Sequence, residues 1–503
     1  MRVPGPAPFH LPFYLNKFAY FVLLIMKQVI TIFFCLISFL TGISQGFKVT
    51  LQTQPYDSGL AYLTYHMGKN LNIADTGYIN KKGLVIFQKK DTLPGGIYAI
   101  VFPGKMKSFD FFIDKNQVIN IKADTNDLQN TVVTGSPEND LFQEYQRFIS
   151  VKGLQMQNAR MAYNSSTNAI DSAMYEAQFK EYNKELADYR NSIIQNQPNS
   201  MMAVMLKAMK EPDFLIEKPK NRQDSLTNYY YYKAHFWDGV TFMDPRIIRS
   251  PFFQPKLERY YRNVMPQEPD SIIADLDYKL LLARTCPEMY KFLLNWSTDE
   301  YINPKIMGHD AIFVHLFNKY HSKGLTPWLN EKQMETISRR AYMQMANLIG
   351  EKAADLNMLD TAGRPVSLYS LKSDFTIVVF WDPNCGHCKE EIPRIDSIYR
   401  ASWKKKGVSI FAVLTEDHLT EWKSYIVKHN IGDWTNAYES KEMADAVAAS
   451  KTPSFRQLYD VISTPTIYLL DAEKRIIGKK LTFLQLDDLM NVKRNQLKEK
   501  SGK

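Results

Sequence analysis

Thr376 to Pro393 reads TIVVFWDPNCGHCKEEIP, and the reading of this stretch decides the fold. Thr376 to Trp381 is a short apolar run, rich in β-branched residues and stopped by Pro383, the pattern of a buried strand. Cys385-Gly386-His387-Cys388 follows, and Ile392, Ile395, Ile398 and Tyr399 then recur at helical spacing. A Cys-x-x-Cys set between strand and helix points to thiol–disulfide chemistry. A cysteine at a helix start faces unpaired N–H groups and the positive end of the helix dipole. Both favour the thiolate, which is the attacking species. Two intervening residues let the second sulfur reach the first and resolve a mixed disulfide. Cys385 is therefore expected to be the nucleophile and Cys388 the resolving thiol, with an imidazolium at His387 adding to thiolate stability.

The rest of the chain narrows the alternatives. Four cysteines in all, with Cys35 near the N-terminus and Cys286 standing alone, leave one pair, too few for a disulfide-stapled scaffold. No second pair stands at ligand spacing, so no zinc site is expected. A c-type haem needs histidine directly after Cys388, where Lys389 stands. No cofactor and no metal are expected beyond the redox disulfide of Cys385 and Cys388. The net charge of +9 is dispersed apart from Lys404-Lys405-Lys406, which reads as a solvated basic face and not a nucleic-acid surface.

At 503 residues the chain exceeds one core. Residues 26–44 have the layout of a secretory signal: Lys27, an apolar centre from Val29 to Leu40, then small residues at Gly42 and Ser44. Residues 1–25 make a poor leader, and we expect translation to begin at Met26. The competing reading is an uncleaved membrane anchor over 18–40. Cys35 follows Phe33-Phe34 and lacks the setting of a lipoprotein cysteine. Either way the folded part is expected outside the cytoplasm, in the periplasm or cell envelope, where a dithiol protein meets an oxidising medium.

Residues 46–139 read as a small β-sandwich or barrel, with short alternating runs separated by turns such as Pro94-Gly95-Gly96. Residues 140–352 turn helical: Tyr175, Phe179, Tyr182, Leu186, Tyr189 and Ile193 mark one apolar face. Met201, Met202, Met205 and Met209 read as core packing and not as a metal box. Tyr229 to Tyr232 with Phe236 and Trp237 are a buried helix face or a binding platform. His235, His309 and His315 have no metal-ligand spacing. From 353 onward the order is turn, strand, Cys-x-x-Cys helix, strand at Val408 to Leu414, helices, a closing hairpin at Thr466 to Leu470 and Arg475 to Lys480, and a last helix.

The Gly363 turn, Phe380-Trp381, Cys-x-x-Cys and Glu391-Ile392-Pro393 make residues 353–503 resemble the TlpA-like branch of the thioredoxins. The fold class implied is multidomain, with a C-terminal α/β thioredoxin fold preceded by a β domain and an all-α region. The segment before it resembles the β domain found in exported Bacteroidetes thioredoxin proteins, on Asp75-Thr76, Gly83, Pro94 to Tyr98, Phe111 to Asp114 and Gly135 to Asn139. The resemblance implies an exported oxidoreductase whose partners are envelope protein thiols and a redox partner protein. It also implies a cis peptide at Thr464–Pro465 opposite the cysteines, with Thr464 and Trp381 contacting substrate. Three positions are departures: His387 replaces the family's usual proline, Asn384 the tryptophan, and Val379 stands where cytosolic thioredoxins have a buried aspartate. Glu391 and Glu416 are candidate substitutes for that aspartate, or plain surface charges. A redox-idle scaffold is the rival function. A peroxidase is not supported, because Asp382-Pro383-Asn384 does not supply the required setting before Cys385.

Overall fold

The computed structural model describes Gly5 and residues 46–501. The signal segment 26–44 with Cys35, the anchor alternative over 18–40, and residues 1–25 apart from Gly5 lie outside the described residues. Among the described residues no helix is long and apolar enough to cross a membrane. The chain divides into two compact units. One holds the residues up to Pro212 with Trp237–Val240 and Arg246–Pro255; the other holds Asp213–Phe236, Thr241–Pro245 and Lys256–Lys503.

In the first unit, eight strands form a sandwich: β1 (Lys48–Gln54), β2 (Leu60–Met67), β3 (Asn70–Tyr78), β4 (Leu84–Gln88), β5 (Gly96–Val101), β6 (Ser108–Ile113), β7 (Val118–Asp124) and β8 (Asp127–Thr134). The sheets run β4-β1-β7-β8 and β3-β2-β5-β6. Val49 and Leu51 alternate inward against Leu63, Ile100 and Phe111 of the facing sheet. β5 is buried on both faces because helices cover its outer side. There Ile97 and Phe112 meet Tyr145, Ile193, Met201, Met202 and Met205. These methionines are core residues, while Met209 is exposed. Asn139, wholly buried, ties a helix to the sheet: its Nδ2 donates to the Phe112 carbonyl (2.8 Å) and its Oδ1 accepts the Phe112 N–H (2.7 Å).

The second unit joins helices to a seven-stranded sheet. The helical stretch expected as one domain is thus shared between the units: its first helices pack on the sandwich, and the rest belong to the second unit. Tyr229 donates to the Val264 carbonyl (2.9 Å) and Tyr230 is exposed. His309 and His315 are engaged by the Gln267 carbonyl and the Asp277 carboxylate. No group of side chains suited to a metal occurs among the described residues.

The strands of that sheet are β9 (Asn357–Asp360), β10 (Pro365–Ser367), β11 (Phe375–Trp381), β12 (Val408–Leu414), β13 (Thr435–Tyr438), β14 (Thr466–Leu470) and β15 (Ile476–Lys479), in the order β10-β9-β13-β12-β11-β14-β15. This is a thioredoxin fold. All of β11 is buried. Its Ile377, Val379 and Trp381 pack beneath the helix Gly386–Ile398, and its Val378 and Phe380 face Tyr459 and Tyr468 on the other side. Burial on both faces accounts for the unbroken apolar run. Gly363, at a φ of 78°, turns the β9–β10 hairpin, where Asp360 accepts the N–H groups of Ala362 and Arg364. Polar links join the helices to this part of the unit, two of them through buried side chains. Lys479 donates to Asp310 and Asn347, and Arg340 donates to Asp460.

Candidate active site

Parallel pairing of β11 with β12 and antiparallel pairing with β14 place the end of β11 at the centre of the sheet. The chain leaves Trp381, turns through Asp382 to Asn384, and enters the helix Gly386–Ile398 with Cys385 as its N-cap residue. The Cys385 N–H donates to the Asp382 carbonyl (3.2 Å), and Lys389 N–H closes the first helical bond on the Cys385 carbonyl (3.1 Å). Pro393 sits inside this helix. The register of Phe380 with Thr466 sets residues 464 and 465 beside the Cys-x-x-Cys turn. The Thr464–Pro465 peptide is cis.

The two sulfurs occupy different surroundings. Cys385 is partly exposed and Cys388 is 1% exposed; both are thiols. The Cys385 thiol donates to the Thr464 carbonyl (3.3 Å). Burial works to raise its pKa. Hydrogen bonds from the Thr464 side chain, from the Cys388 N–H and thiol, and from the His387 N–H outweigh that and hold it below the ordinary thiol range. Burial pushes the Cys388 thiol up to about 12. The arrangement gives one accessible sulfur that ionises readily and one sheltered sulfur that does not.

The structure brings Cys385, Cys388, Thr464 and Pro465 together, with His387 exposed on the first turn of the helix. Trp381 does not join them as a substrate contact. It is 0% exposed, its ring packs 5.1 Å from Tyr425 with no opening to a substrate, and it belongs to the core. Glu391 lies at the rim, where its carboxylate accepts the Phe483 N–H (3.3 Å) and pairs with Arg394. Glu416 is a surface charge paired with Arg456. A cleft of about 330 Å³ opens beside Pro465, lined by Glu391, Ile462, Ser463 and Lys480 among others.

Two residues at the site escaped the sequence reading. Asp382, 4% exposed, accepts the Asn384 N–H on Oδ1 (2.7 Å) and contacts His418 Nδ1 through Oδ2 (2.7 Å). The hydrogen bond with Asp382 raises the pKa of His418 above the ordinary histidine value. A carboxylate directly after the buried strand was the only sequence signal for the pair.

A thioredoxin fold that sets an acidified, accessible cysteine against a buried partner and a cis-proline defines the class as thioredoxin-like with a redox-type dithiol. Residues 349–479 match the model of the AhpC/TSA family, and residues 47–142 that of a domain of unknown function, DUF4369. The C-terminal domain is similar to this AhpC/TSA thioredoxin-like family and has thiol–disulfide oxidoreductases among its relatives. One is the thiol-disulfide oxidoreductase ResA of Bacillus thuringiensis, 25% identical over 129 residues, which span 26% of this chain and 67% of that protein. Among solved structures, a domain of a possible thiol-disulfide isomerase from Cytophaga hutchinsonii is 34% identical, with 30% of this chain and 97% of that one covered, at a TM-score of 0.27. A thioredoxin-like protein from Bacteroides caccae is 21% identical, with 56% and 97% covered, at a TM-score of 0.43.

Proposed function

We propose that this chain is an exported thiol–disulfide oxidoreductase that exchanges disulfides with envelope proteins through the Cys385–Cys388 couple, in the manner of TlpA-like thioredoxins. The observation that carries the reading is the contrast between the two thiols. Cys385 is partly exposed with a lowered pKa, and Cys388 is buried with a raised one. In the reducing direction the Cys385 thiolate attacks a substrate disulfide sulfur, the substrate S–S bond breaks, and the departing sulfur takes up a proton. Cys388 then loses its proton and attacks Cys385 Sγ. The Cys385–Cys388 disulfide forms and the second substrate thiol leaves, so two electrons have passed to the substrate. The oxidising direction is the same path reversed. Thr464 and Pro465 supply the wall against which an extended substrate chain lies.

The extracytoplasmic assignment rests on the signal-like segment at 26–44 and on the suitability of an oxidising compartment. The test is Cys388→Ser in the full chain, expressed in cells whose envelope proteins are then resolved without reductant. Mixed disulfides through Cys385 are the expected product, and they disappear in Cys385→Ser/Cys388→Ser. If no envelope adduct forms, and the wild-type chain reduces no protein disulfide, the redox-idle scaffold is the better account.

A further inference from the structure

Resolution of the mixed disulfide requires Cys388 to lose a proton, and the surroundings of Cys388 supply no obvious acceptor. The sulfur lies in the core beneath the active-site helix. Val379, which stands where cytosolic thioredoxins have a buried aspartate, is apolar and 0% exposed. Glu391 is taken up by Phe483 and Arg394, and Glu416 by Arg456 at the surface.

Asp382 is differently placed. Its backbone N–H faces the Cys388 sulfur, and its carbonyl accepts the Cys385 N–H, so it touches both halves of the motif. Its side chain is buried, yet it is linked outward. His418 Nδ1 lies 2.7 Å from Asp382 Oδ2, and the His418 side chain is 41% exposed. His418 follows β12 and directly precedes the helix Leu419–Lys428. An aspartate whose backbone N–H faces the resolving thiol, and whose buried carboxylate is joined by one short contact to a half-exposed imidazole, offers a two-residue path from core to water.

We propose that Asp382 and His418 form the proton path that serves Cys388. This rests on the oxidoreductase reading above. In the resolving step the Asp382 carboxylate takes the proton from Cys388 Sγ, and the Cys388 sulfur attacks Cys385 Sγ. The Cys385–substrate S–S bond breaks, with the electron pair leaving on the substrate sulfur. With His418 in its neutral Nε2–H tautomer, the proton passes from the Asp382 carboxyl to Nδ1, and solvent removes the one held on Nε2. Oxidation of a substrate dithiol runs the same transfers backwards. The path closes when His418 is already an imidazolium. The groups that act on His418 are Asp382 from the active-site turn, Glu416 from its own loop and Glu421 from its own helix, and all three favour its charged form. Those facing Cys388 are Cys385 and, from the helix Leu419–Lys428, Tyr425. Resolution is therefore expected to quicken with rising pH through an inflection above the ordinary histidine value.

The experiment uses the reduced full chain and an aromatic disulfide that releases one coloured thiolate at each step. The first release reports attack by Cys385, and the second reports resolution by Cys388. Asp382→Asn, which keeps an acceptor for the Asn384 N–H, and His418→Ala are expected to slow the second release at least about ten-fold at neutral pH, as general-base losses do. The first release stays within about three-fold of wild type, since neither substitution removes a donor to Cys385. His418→Ala alters a half-exposed side chain, so it also tests the path should Asp382→Asn fail to fold. Free imidazole is expected to restore its second release, and its pH inflection is expected to vanish. An unchanged second release in His418→Ala, or an equal fall of both releases without imidazole rescue, overturns the proposal. Absence of the first release in the wild type overturns the oxidoreductase reading instead.

Discussion

Asp460 begins the loop that ends at Thr464–Pro465, and its carboxylate is buried, at 2% side-chain exposure. Burial works against ionisation there. Hydrogen bonds from Arg340 and Lys480 outweigh it, and the pKa lies below the ordinary aspartate value. Arg340 is itself 12% exposed and also donates from Nε to the Ile302 carbonyl (3.1 Å), whereas Lys480 is 47% exposed at 2.7 Å. Arg340→Met removes the better-buried partner while keeping an apolar stem. Breaking a buried pair costs about 3–5 kcal/mol when no partner remains. Lys480 remains here, so about 3 kcal/mol is expected, or a fall of roughly 6–12 °C in the melting temperature of this unit. The sign with pH follows from the lowered pKa. The stabilisation by Asp460 is fully present above its unfolded value of 3.8 and is lost as pH falls through the lower folded value. Arg340→Met raises that folded pKa, so the gap between variant and wild type should be widest near neutral pH and should narrow as pH drops below about 4. Urea melts of wild type, Arg340→Met, Asp460→Asn and the double variant at pH 7 and near pH 4 make the measurement. A loss below about 0.5 kcal/mol, the level of a surface pair, would refute the reasoning. So would strict additivity of the two substitutions, because contacting partners are expected to couple.

Two further outcomes can be checked on the same preparations. Alkylation of the reduced chain should modify Cys385 with a pH inflection below the ordinary thiol range and leave Cys388 untouched until the protein unfolds, as read by peptide mass mapping. Asn139→Ala strands the N–H and carbonyl of Phe112 inside the first unit. It should cost about 2–4 kcal/mol by the penalty for two buried unpaired groups, with faster hydrogen exchange at the Phe112 amide; unchanged exchange there would show that the clamp is dispensable.

How much of this was legible in the sequence depends on the range of the contact involved. The strand Phe375–Trp381 and the helix behind the cysteines were legible because apolar period and length are local properties, and burial on both faces of β11 leaves no polar interruption. The polarity of β3 hid it. Asn70 to Tyr78 carries three of its nine residues as Asn or Asp and presents few buried positions, so it reads as loop until β2 pairs with it. Helical periodicity showed which face of each helix is apolar but not which part of the chain covers it. That is why the stretch 140–352 looked like one domain and is shared between two units. Trp381 was expected to contact substrate from the family resemblance, yet the pleat directs residues 377, 379 and 381 under the helix into the core. Asp382 was overlooked for the opposite reason. A lone aspartate after a strand looks like a turn residue, and only the return of the chain at His418 makes it a buried, paired carboxylate.

The same geometry bears on the direction of electron flow, which the departures at 384, 387 and 379 left open. A dithiol becomes more oxidising as its thiolate form gains stability, because that stabilises the reduced state. At Cys385 the donors include the N–H groups of residues 387 and 388 and the Thr464 side chain. The first two come with any helix that starts at this position, whatever side chain stands at 387. His387 itself is exposed on the first turn, so its contribution is exposed to salt and solvent. The buried sulfur supplies the opposing term: Cys388 is held as a thiol, and every turnover must move its proton. In this protein the helix start therefore governs how readily the first thiolate attacks. The path by which the second thiol is deprotonated governs how fast the mixed disulfide is released, and the two can be varied separately.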